Sequence, residues 1–390
     1  MERVYIRGAG QLPVVRSTAQ PIRALAASSL RAAMSDAGIE RVDALYVGNM
    51  MSGRLSNQAQ LGALVADEAG LRGIEAATTE AACSSGAVAL RFGMMAVRSG
   101  LAGLVAVCGV ELMTQASRDD VTIALATASD WEIEGGCGET FVTLNARLMR
   151  LYAEHYRRDY DEFGQFAVEA HRNGNQNPNA LFRDKQVSIE GYLESRLISP
   201  PLRLLDASAI CSGAATVILG SRAALEASRA AAHDRRVRVI GSAIGTDSLS
   251  LQRRRDVLFL DGVARSVDGA LTMAGIGLDE IDLFEAHDAY TIMSVMSLEA
   301  TGFAQPGRGL DFARDNGIGR DGALPMATMG GLKARGHPVG ATGVYQAAEC
   351  FLQLTNRAGA NQIPNAEVAM AQNFGGTGAT VVTHLFRAEA

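Results

Sequence analysis

The sequence predicts an α/β protein made of two similar halves with an inserted loop subdomain. Apolar runs of strand length alternate with Ala-rich helical stretches, a pattern typical of sheets covered by helices. The same order of elements occurs twice, and a central region of different pattern separates parts of the two copies. With 390 residues, 48% hydrophobic and 20% charged, the chain can form a large ordered core.

Both copies contain the end of a helix followed by a strand. The first reads Ala37-Gly38-Ile39 and then an apolar run over 42–48, and the second reads Ala274-Gly275-Ile276 and then a run over 281–287. Glycine is the usual residue just past the end of a helix. The shared order indicates a duplication.

The similarity extends to a reactive residue in each copy. Cys83 opens a helical stretch that precedes the apolar run 104–108, and His337 opens another that precedes the run 368–371. Alternating strands and helices predict mainly parallel sheets, in which ligands bind where strands end and helices begin. We therefore expect the duplication to bring Cys83 and His337 to one pocket.

The central region divides the chain into three parts. It contains a glycine-rich loop followed by a long helical pattern, which is typical of a substrate-facing lid. We predict an insertion over 116–199, an N-terminal half over 1–115 plus about 200–235, and a C-terminal half over 236–390.

Composition and charge argue against several classes of protein. The formal net charge of −6 does not fit a general nucleic-acid binder. The sequence shows no secretory signal, no peroxisomal address and no membrane-spanning apolar run, so we expect a cytoplasmic protein. The five cysteines form no C-x-x-C pair, which argues against a zinc site and favours a reducing compartment.

The remaining cationic residues give no strong functional signal. Four histidines lack neighbouring ligands, so we predict no metal site; they are His155, His171, His233 and His384. The arginine runs 235–238 and 253–255 are expected on a solvated face, with contacts to coenzyme A phosphates as the alternative.

Cys83 is the candidate nucleophile. It lies in a turn of small residues at the start of a helix, where unpaired N–H groups and partial positive charge favour a thiolate. We therefore expect its pKa to be lowered. The alternative is a buried structural cysteine, which suits Cys108 in its apolar strand and Cys350 on its helix better.

Two histidines are candidates for proton transfer and hydrogen bonding. His337 lies in a glycine-rich segment over 330–343, where the backbone can approach a ligand and an imidazole could accept the thiol proton. His287 follows an apolar run, at the end of a strand, and is expected to donate to a thioester oxygen. An incidental or structural histidine is the alternative at each position.

A second glycine-rich turn follows the last predicted strand pair. Gly375 and Gly376 lie at a strand end, where exposed backbone N–H groups could form an oxyanion hole. The motif is common by itself, so its interpretation depends on the neighbouring motifs.

Together these motifs resemble the thiolase superfamily over essentially the whole chain. The similarity is greatest to the sterol-carrier-protein-type thiolases and to archaeal and bacterial acetyl-CoA acetyltransferases. Its most specific segment is 331–343, supported by 82–87, 199–206 and 285–290. The resemblance implies a five-layer αβαβα core, a homodimer or homotetramer, coenzyme A thioesters as substrates, and no cofactor or metal. An accessory acyl-CoA-binding protein is a further possible partner.

The resemblance also implies roles for individual residues. Cys83 would be acylated, His337 would activate it, and His287 would polarise the thioester oxygen. Backbone N–H groups of Cys83 and Gly376 would hold the acyl oxyanion. Candidate substrate-binding residues in the same motifs are Gly375, Ala289 and Lys333.

The chain departs from the family at the second catalytic cysteine. Many thiolases have this cysteine at the position of Asn373, and some sterol-carrier-type members have it at the position of Ala289. Three explanations stay open: His287 or His337 moves the second proton, the enzyme is a decarboxylating ketoacyl synthase, or the chain is an acyl-CoA-binding partner or carrier. Asn373 is retained as a candidate catalytic-site residue.

Overall fold

The computed structural model describes residues 2–227 and 236–389. His233 and Arg235, for which the sequence analysis made predictions, lie outside the described residues. Strands and helices alternate through residues 2–227. They are β1 Val4–Gln11, α1 Ile22–Ala37, β2 Ala44–Gly48, α2 Ser52–Leu55, α3 Leu61–Glu68, β3 Glu75–Thr79, α4 Ser85–Ser99, β4 Leu104–Leu112, α5 Arg118–Ala126, α6 Phe141–Tyr156, α7 Gly164–Gly174, α8 Ile189–Leu193, β5 Leu197–Ser199, β6 Leu202–Arg203, β7 Ser212–Ser221 and α9 Arg222–Ala227.

The second half continues the same alternation of strands and helices. Its elements are β8 Arg236–Thr246, α10 Asp261–Ala274, β9 Leu283–Glu285, α11 Thr291–Thr301, α12 Gly309–Arg314, α13 Thr342–Leu354, β10 Val368–Gly375 and β11 Thr380–Glu389.

Nine strands form a sheet in the order β3-β2-β4-β7-β1-β8-β11-β10-β9. The two halves meet at β1 and β8, through the short antiparallel register of Tyr5 with Arg238 and Ile6 with Val237. In the first half, β7 pairs antiparallel with β1 and β4, and β4 pairs parallel with β2. In the second half, β11 pairs antiparallel with β8 and β10, and β10 pairs parallel with β9. The duplication is therefore visible in the topology.

The expectation of mainly parallel sheets is wrong. Parallel pairing joins β2 to β3 and β4, and β9 to β10, whereas the other five strand pairs are antiparallel. The reason is that β10 and β11 are joined by a short turn, which forces them to run in opposite directions. In the first half β7 pairs with β1 and β4 in the same way.

The helices complete a five-layer αβαβα arrangement. Helices α1 and α3 pack on the outer face of the first half, and α10 packs on β8 and β11 of the second half. Helices α4 and α13 contact each other in the middle layer. Their approach is close, since a Cβ on Gly343 would lie 2.4 Å from the backbone nitrogen of Ala87. The helices that begin beside Cys83 and His337 therefore start next to each other.

The region over 116–199 contributes α5 to α8 and the short strand β5. Helix α6 packs against α11, and α7 packs against the helical turn Gly331–Arg335 of the second half. These contacts support our proposal that the region over 116–199 is an insertion. We also keep the proposed division of the remaining chain into an N-terminal and a C-terminal half. Among the described helices, none is both long and apolar enough to cross a lipid bilayer.

Candidate active site

The structure brings Cys83, His287 and His337 together at the wall of one cavity with about 600 Å³ of empty space. Cys83 comes from the first half, and both histidines come from the second half. Ala289 and Gly376 line the same cavity.

Cys83 lies in the turn between β3 and α4. The turn is tight because Ala82 adopts a left-handed conformation with φ of 53°, and the hydroxyl of Ser85 donates back to the carbonyl of Ala82. Burial, and to a lesser extent the nearby charge of Glu111, raise the pKa of the Cys83 thiol to about 12. The backbone N–H groups of Cys83 and Gly376 act in the opposite direction. The expected lowering of this pKa is therefore wrong, because desolvation of a buried sulfur outweighs the stabilising N–H groups.

His337 is held at the start of α13 by two local contacts. Its backbone N–H donates to Sγ of Cys211 at 3.2 Å, and its Nδ1 lies 2.7 Å from Oγ1 of Thr342. The Thr342 hydroxyl donates to the carbonyl oxygen of Pro338 at 3.1 Å. Since that hydroxyl proton is used, we assign the His337 proton to Nδ1, and Nε2 is left as an acceptor.

His287 has the opposite tautomer. Its Nδ1 accepts from the backbone N–H of Phe374 at 3.2 Å and faces the Nδ2 amide of Asn373, also at 3.2 Å. The ring proton is therefore on Nε2. Burial and nearby cations lower the pKa of His287 to about 3, and burial also lowers the pKa of His337. Both imidazoles therefore rest neutral. Their rings lie edge to face with centroids 5.0 Å apart.

Glu111 organises the loops around the cysteine. This buried carboxylate accepts hydrogen bonds from the backbone N–H groups of Met50, Met51 and Gly340 and from the side chain of Asn49. Burial raises its pKa to about 7 despite these donors. Glu111 thereby ties the loop after β2 to the glycine-rich segment of the second half.

The glycine turn after β10 lies against the cysteine turn. A Cβ on Gly375 would lie 2.6 Å from the carbonyl oxygen of Ala81, so only glycine fits there without displacing the turn. Gly376 has φ of +64°, which directs its N–H towards the sulfur of Cys83. The site therefore contains the thiol of Cys83, an acceptor nitrogen on neutral His337 and an N–H donor on neutral His287. With the two backbone N–H groups near the sulfur, this set is suited to acyl transfer through a thioester.

Comparison with known proteins decides the family. Residues 4–223 match the family described as thiolase, N-terminal domain, and residues 243–388 match thiolase C-terminal domain-like. The chain belongs to the thiolase family. The thiolase resemblance and the thiolase-like α/β fold predicted from the sequence are confirmed.

This thiolase is similar to proteins named as enzymes and to one named as a sterol carrier protein. An acetyl-CoA acetyltransferase of Methanothermobacter thermautotrophicus is 42% identical over 91% of each chain. Human sterol carrier protein 2 is 26% identical over 98% of this chain and 72% of its own length. The solved structure described as Ltp2-ChsH2(DUF35) aldolase has a TM-score of 0.83 at 21% identity, covering 99% of this chain and 98% of the other. The first relative and the thiolase domains identify the protein as an acyltransferase of the thiolase type.

Other predicted residues lie in different surroundings. Asn373 is buried behind His287 and donates to Oε1 of Gln346 at 2.8 Å. Lys333 is not among the residues that line the cavity; its buried ammonium donates to the backbone carbonyl of Asp288, and burial lowers its pKa to about 8. Asp288 in turn accepts from the backbone N–H of Leu332 at 2.6 Å. Lys333 and Asp288 therefore hold the segment before His337.

The predicted solvated face is wrong for one of the arginines. Arg254 is buried, and its guanidinium donates to the carbonyl oxygen of Thr377 at 2.7 Å. This contact holds the glycine turn in place. The neighbouring Arg255 is exposed and pairs with Asp261 at 2.9 Å.

Three residues near the site were not predicted. Glu111 interrupts an apolar strand, and a lone carboxylate at a strand end is a signal that could have identified it. Thr342 lies within a motif that was assigned to the histidine alone. Tyr290 lines the cavity beside Ala289, but a tyrosine after a strand has no distinctive pattern.

Proposed function

We propose that this thiolase transfers an acyl group from coenzyme A to Cys83 and then condenses it with acetyl-CoA, or cleaves 3-ketoacyl-CoA in the reverse direction. The observation that supports this most is the shared cavity, which is lined by Cys83 and by two imidazoles of opposite tautomer, with two backbone N–H groups at the sulfur. The substrates are coenzyme A thioesters, and the chain's own residues supply the acid–base groups without a cofactor or metal. The name of the 42% identical acetyl-CoA acetyltransferase supports acetyl-CoA as one substrate.

In the first half-reaction, Nε2 of His337 takes the proton of the Cys83 thiol as the sulfur attacks the thioester carbon. The oxyanion is held by the N–H groups of Cys83 and Gly376. The bond between the acyl carbon and the coenzyme A sulfur breaks, and His337 returns the proton to that sulfur. Deprotonation during attack fits a resting thiol, since the pKa of Cys83 is raised.

In the second half-reaction, we propose that His337 also removes the α-proton of acetyl-CoA. His287 cannot do so at Nε2, because this nitrogen carries the ring proton while Nδ1 is occupied. Instead, Nε2–H of His287 stabilises the enolate oxygen. The enolate carbon attacks the acyl carbon, the bond to Cys83 breaks, and His337 protonates the released sulfur. This assignment replaces the missing second cysteine with a histidine already at the site.

Four further residues complete the proposed site: Asn373, Gly375, Ala289 and Lys333. Asn373 orients His287, Gly375 permits close approach of the two turns, and Ala289 forms part of the substrate wall. Lys333 acts by positioning, since its ammonium is directed at a backbone carbonyl.

The protein is further proposed to be a cytoplasmic homodimer or homotetramer, with an accessory acyl-CoA-binding protein as a further partner. All five cysteines are free, which suits a reducing compartment. Strand β3 lies at the edge of the described sheet, and Phe92 and Met95 on α4 are 43% and 50% exposed. An open strand edge near exposed apolar side chains suits a contact between subunits. Light scattering after size exclusion would give the oligomeric state.

Turnover of acetoacetyl-CoA with coenzyme A tests the proposed reaction. The wild-type protein should form acetyl-CoA, and Cys83→Ala should abolish turnover. Cys137→Ser is the matched control, because Cys137 is exposed and lies outside the cavity, and it should keep wild-type turnover. Full activity of Cys83→Ala would exclude the covalent route.

The same assay separates the two other candidate functions. Carbon dioxide release from malonyl-CoA with no thiolysis would indicate a decarboxylating synthase. Stable acylation of Cys83 with neither reaction would indicate a carrier.

A further inference from the structure

The wall of the cavity formed by α6 and α11 contains two polar side chains that the proposed reaction does not use. Asn145 lies on α6, and Tyr290 precedes the first residue of α11. Both line the cavity, together with the apolar side chains of Phe141 and Met293 from the same two elements.

The amide of Asn145 has a fixed orientation. Its Nδ2 donates to the carbonyl oxygen of Phe141 at 2.8 Å, one turn earlier in the helix. Only the nitrogen end can make that contact, so Oδ1 is at the other end of the amide. Asn145 is 1% exposed, and Oδ1 has no hydrogen-bond partner among the described residues. A buried amide oxygen without a donor costs about 1–3 kcal/mol, so this position favours a ligand that brings one.

Tyr290 supplies a complementary group. Among the described residues, its phenol forms no hydrogen bond, although the side chain faces the cavity beside Cys83. Burial and the nearby Cys83 raise the pKa of Tyr290, so the phenol keeps its proton and can donate. Asn145, whose Oδ1 lacks a donor among the described residues, and Tyr290, whose phenol can donate, therefore lie in the same wall beside apolar side chains.

We propose that Asn145 and Tyr290 bind a hydroxyl group on the acyl chain, so that hydroxyacyl-CoA thioesters are preferred to unsubstituted acyl-CoA thioesters of the same length. An alcohol matches both side chains, because it donates to Oδ1 of Asn145 and accepts from the phenol of Tyr290. An alkyl chain would leave both groups unpaired in an apolar wall. This inference rests on the proposed acylation of Cys83 and adds a substrate class to it.

The test compares two acyl donors that differ only in the hydroxyl. Acylation of Cys83 by 3-hydroxybutyryl-CoA and by butyryl-CoA is followed by intact mass and by release of coenzyme A. For wild type, the ratio of kcat/KM values for acylation should favour the hydroxyacyl donor by about tenfold or more, which corresponds to one net hydrogen bond of about 1.4 kcal/mol. Equal rates, or a preference for butyryl-CoA, would overturn the inference.

Variants assign the preference to the two side chains. Asn145→Leu and Tyr290→Phe keep similar volumes and should each reduce the ratio by about tenfold. Phe141→Leu is the matched control, since it changes an apolar part of the same wall and should leave the ratio unchanged. A ratio that shifts equally in all three variants would assign the preference to cavity shape and contradict the proposal.

The wild-type result also distinguishes this inference from the proposed function. Acylation by both donors at equal rates removes the hydroxyl preference alone. If no acyl-CoA acylates Cys83, the covalent mechanism fails, and the hydroxyl inference fails with it.

Discussion

At the scale of single residues, the proposed chemistry depends on a cysteine and two histidines that all rest in neutral form. Cys83 is buried with a raised pKa, and burial lowers the pKa of each imidazole. The site therefore differs from one with a preformed thiolate–imidazolium pair. In the proposed mechanism, charge develops only as the proton moves from Cys83 to His337.

The resting thiol predicts a steep pH dependence of alkylation. The pKa of Cys83 is raised to about 12, so the thiolate fraction of the free protein should grow by about tenfold per pH unit across the neutral and mildly alkaline range. The rate of iodoacetamide labelling of Cys83, followed by peptide mass between pH 6 and about pH 10, measures this fraction. A plateau already reached below about pH 8 would instead indicate a stabilised thiolate.

Asn373 should matter more for condensation than for acylation. Replacing it by Leu removes a donor to Nδ1 of His287 and leaves only the backbone N–H of Phe374 to fix that ring. We expect the condensation rate to fall by about tenfold, while the rate of Cys83 acylation changes less. Single-turnover measurement of each half-reaction is the check, and equal losses in both would contradict a role through His287.

The predicted and missed residues differ in how much local sequence reveals. Cys83 and His337 could be identified because small residues and glycines surround a reactive side chain at a helix start. Asn145 could not, because its proposed role depends on a hydrogen bond to Phe141 that leaves Oδ1 without a partner among the described residues. The surroundings of Lys333 were also beyond the sequence, since a glycine-rich segment gives no direction for the side chains within it.

At the scale of elements, the two helices of the middle layer fix the distance between cysteine and histidine. A Cβ on Gly343 of α13 would lie 2.4 Å from the backbone nitrogen of Ala87 in α4, and a Cβ on Gly86 of α4 would lie 2.7 Å from the carbonyl oxygen of Gly340, just before α13. The duplication supplies one helix from each half, and the small side chains let the two helix starts meet.

Gly343→Ala should therefore separate the helices. A new Cβ would lie 2.4 Å from the nitrogen of Ala87, and overpacking of this kind costs about 1–3 kcal/mol. We expect a lower melting temperature and a reduced rate of Cys83 acylation. Gly53→Ala in α2 is the control, because a Cβ added there would have no other atom within 4 Å, and it should preserve both properties. Equal behaviour of the two variants would contradict a packing limit between the helices.

The duplication could be predicted from the sequence, whereas strand direction could not. The repeated pattern of helix end, strand, reactive residue and helix indicated the duplication correctly. Apolar runs do not show which way a strand runs, so the antiparallel pairs of β7 and β11 required the structure. Turn length was the missing signal, since β10 and β11 are separated only by the glycine turn over 376–379.

At the scale of the whole molecule, a buried ion pair connects the site to the core of the second half. Arg335 lies two residues before His337, and its Nε is 2.9 Å from Oε1 of Glu349 on α13, with both side chains fully buried. The Arg335 guanidinium also lies over the ring of Tyr345 at 4.7 Å. The segment that carries His337 is thus fixed to α13 at several points.

Removing one partner of this pair should destabilise the fold. Glu349→Ala leaves a buried guanidinium without its carboxylate, which typically costs about 3–5 kcal/mol. The melting temperature should fall clearly below that of the wild type. Arg72→Ala is the control, because its pair with Asp67 is largely exposed and should contribute little. A Glu349→Ala protein as stable as the control would show that the buried pair does not stabilise the fold.

The dependence of Cys83 acylation on His337 is the most direct test of a site shared between the two halves. Intact mass recorded during incubation with acetyl-CoA should show one acetyl group on Cys83 of the wild-type protein. His337→Asn can keep a contact with Thr342 but removes the base, so the rate should fall by about 10²–10⁴ while the melting temperature stays close to wild type. Acetylation of Cys83 at the wild-type rate in His337→Asn would contradict the account.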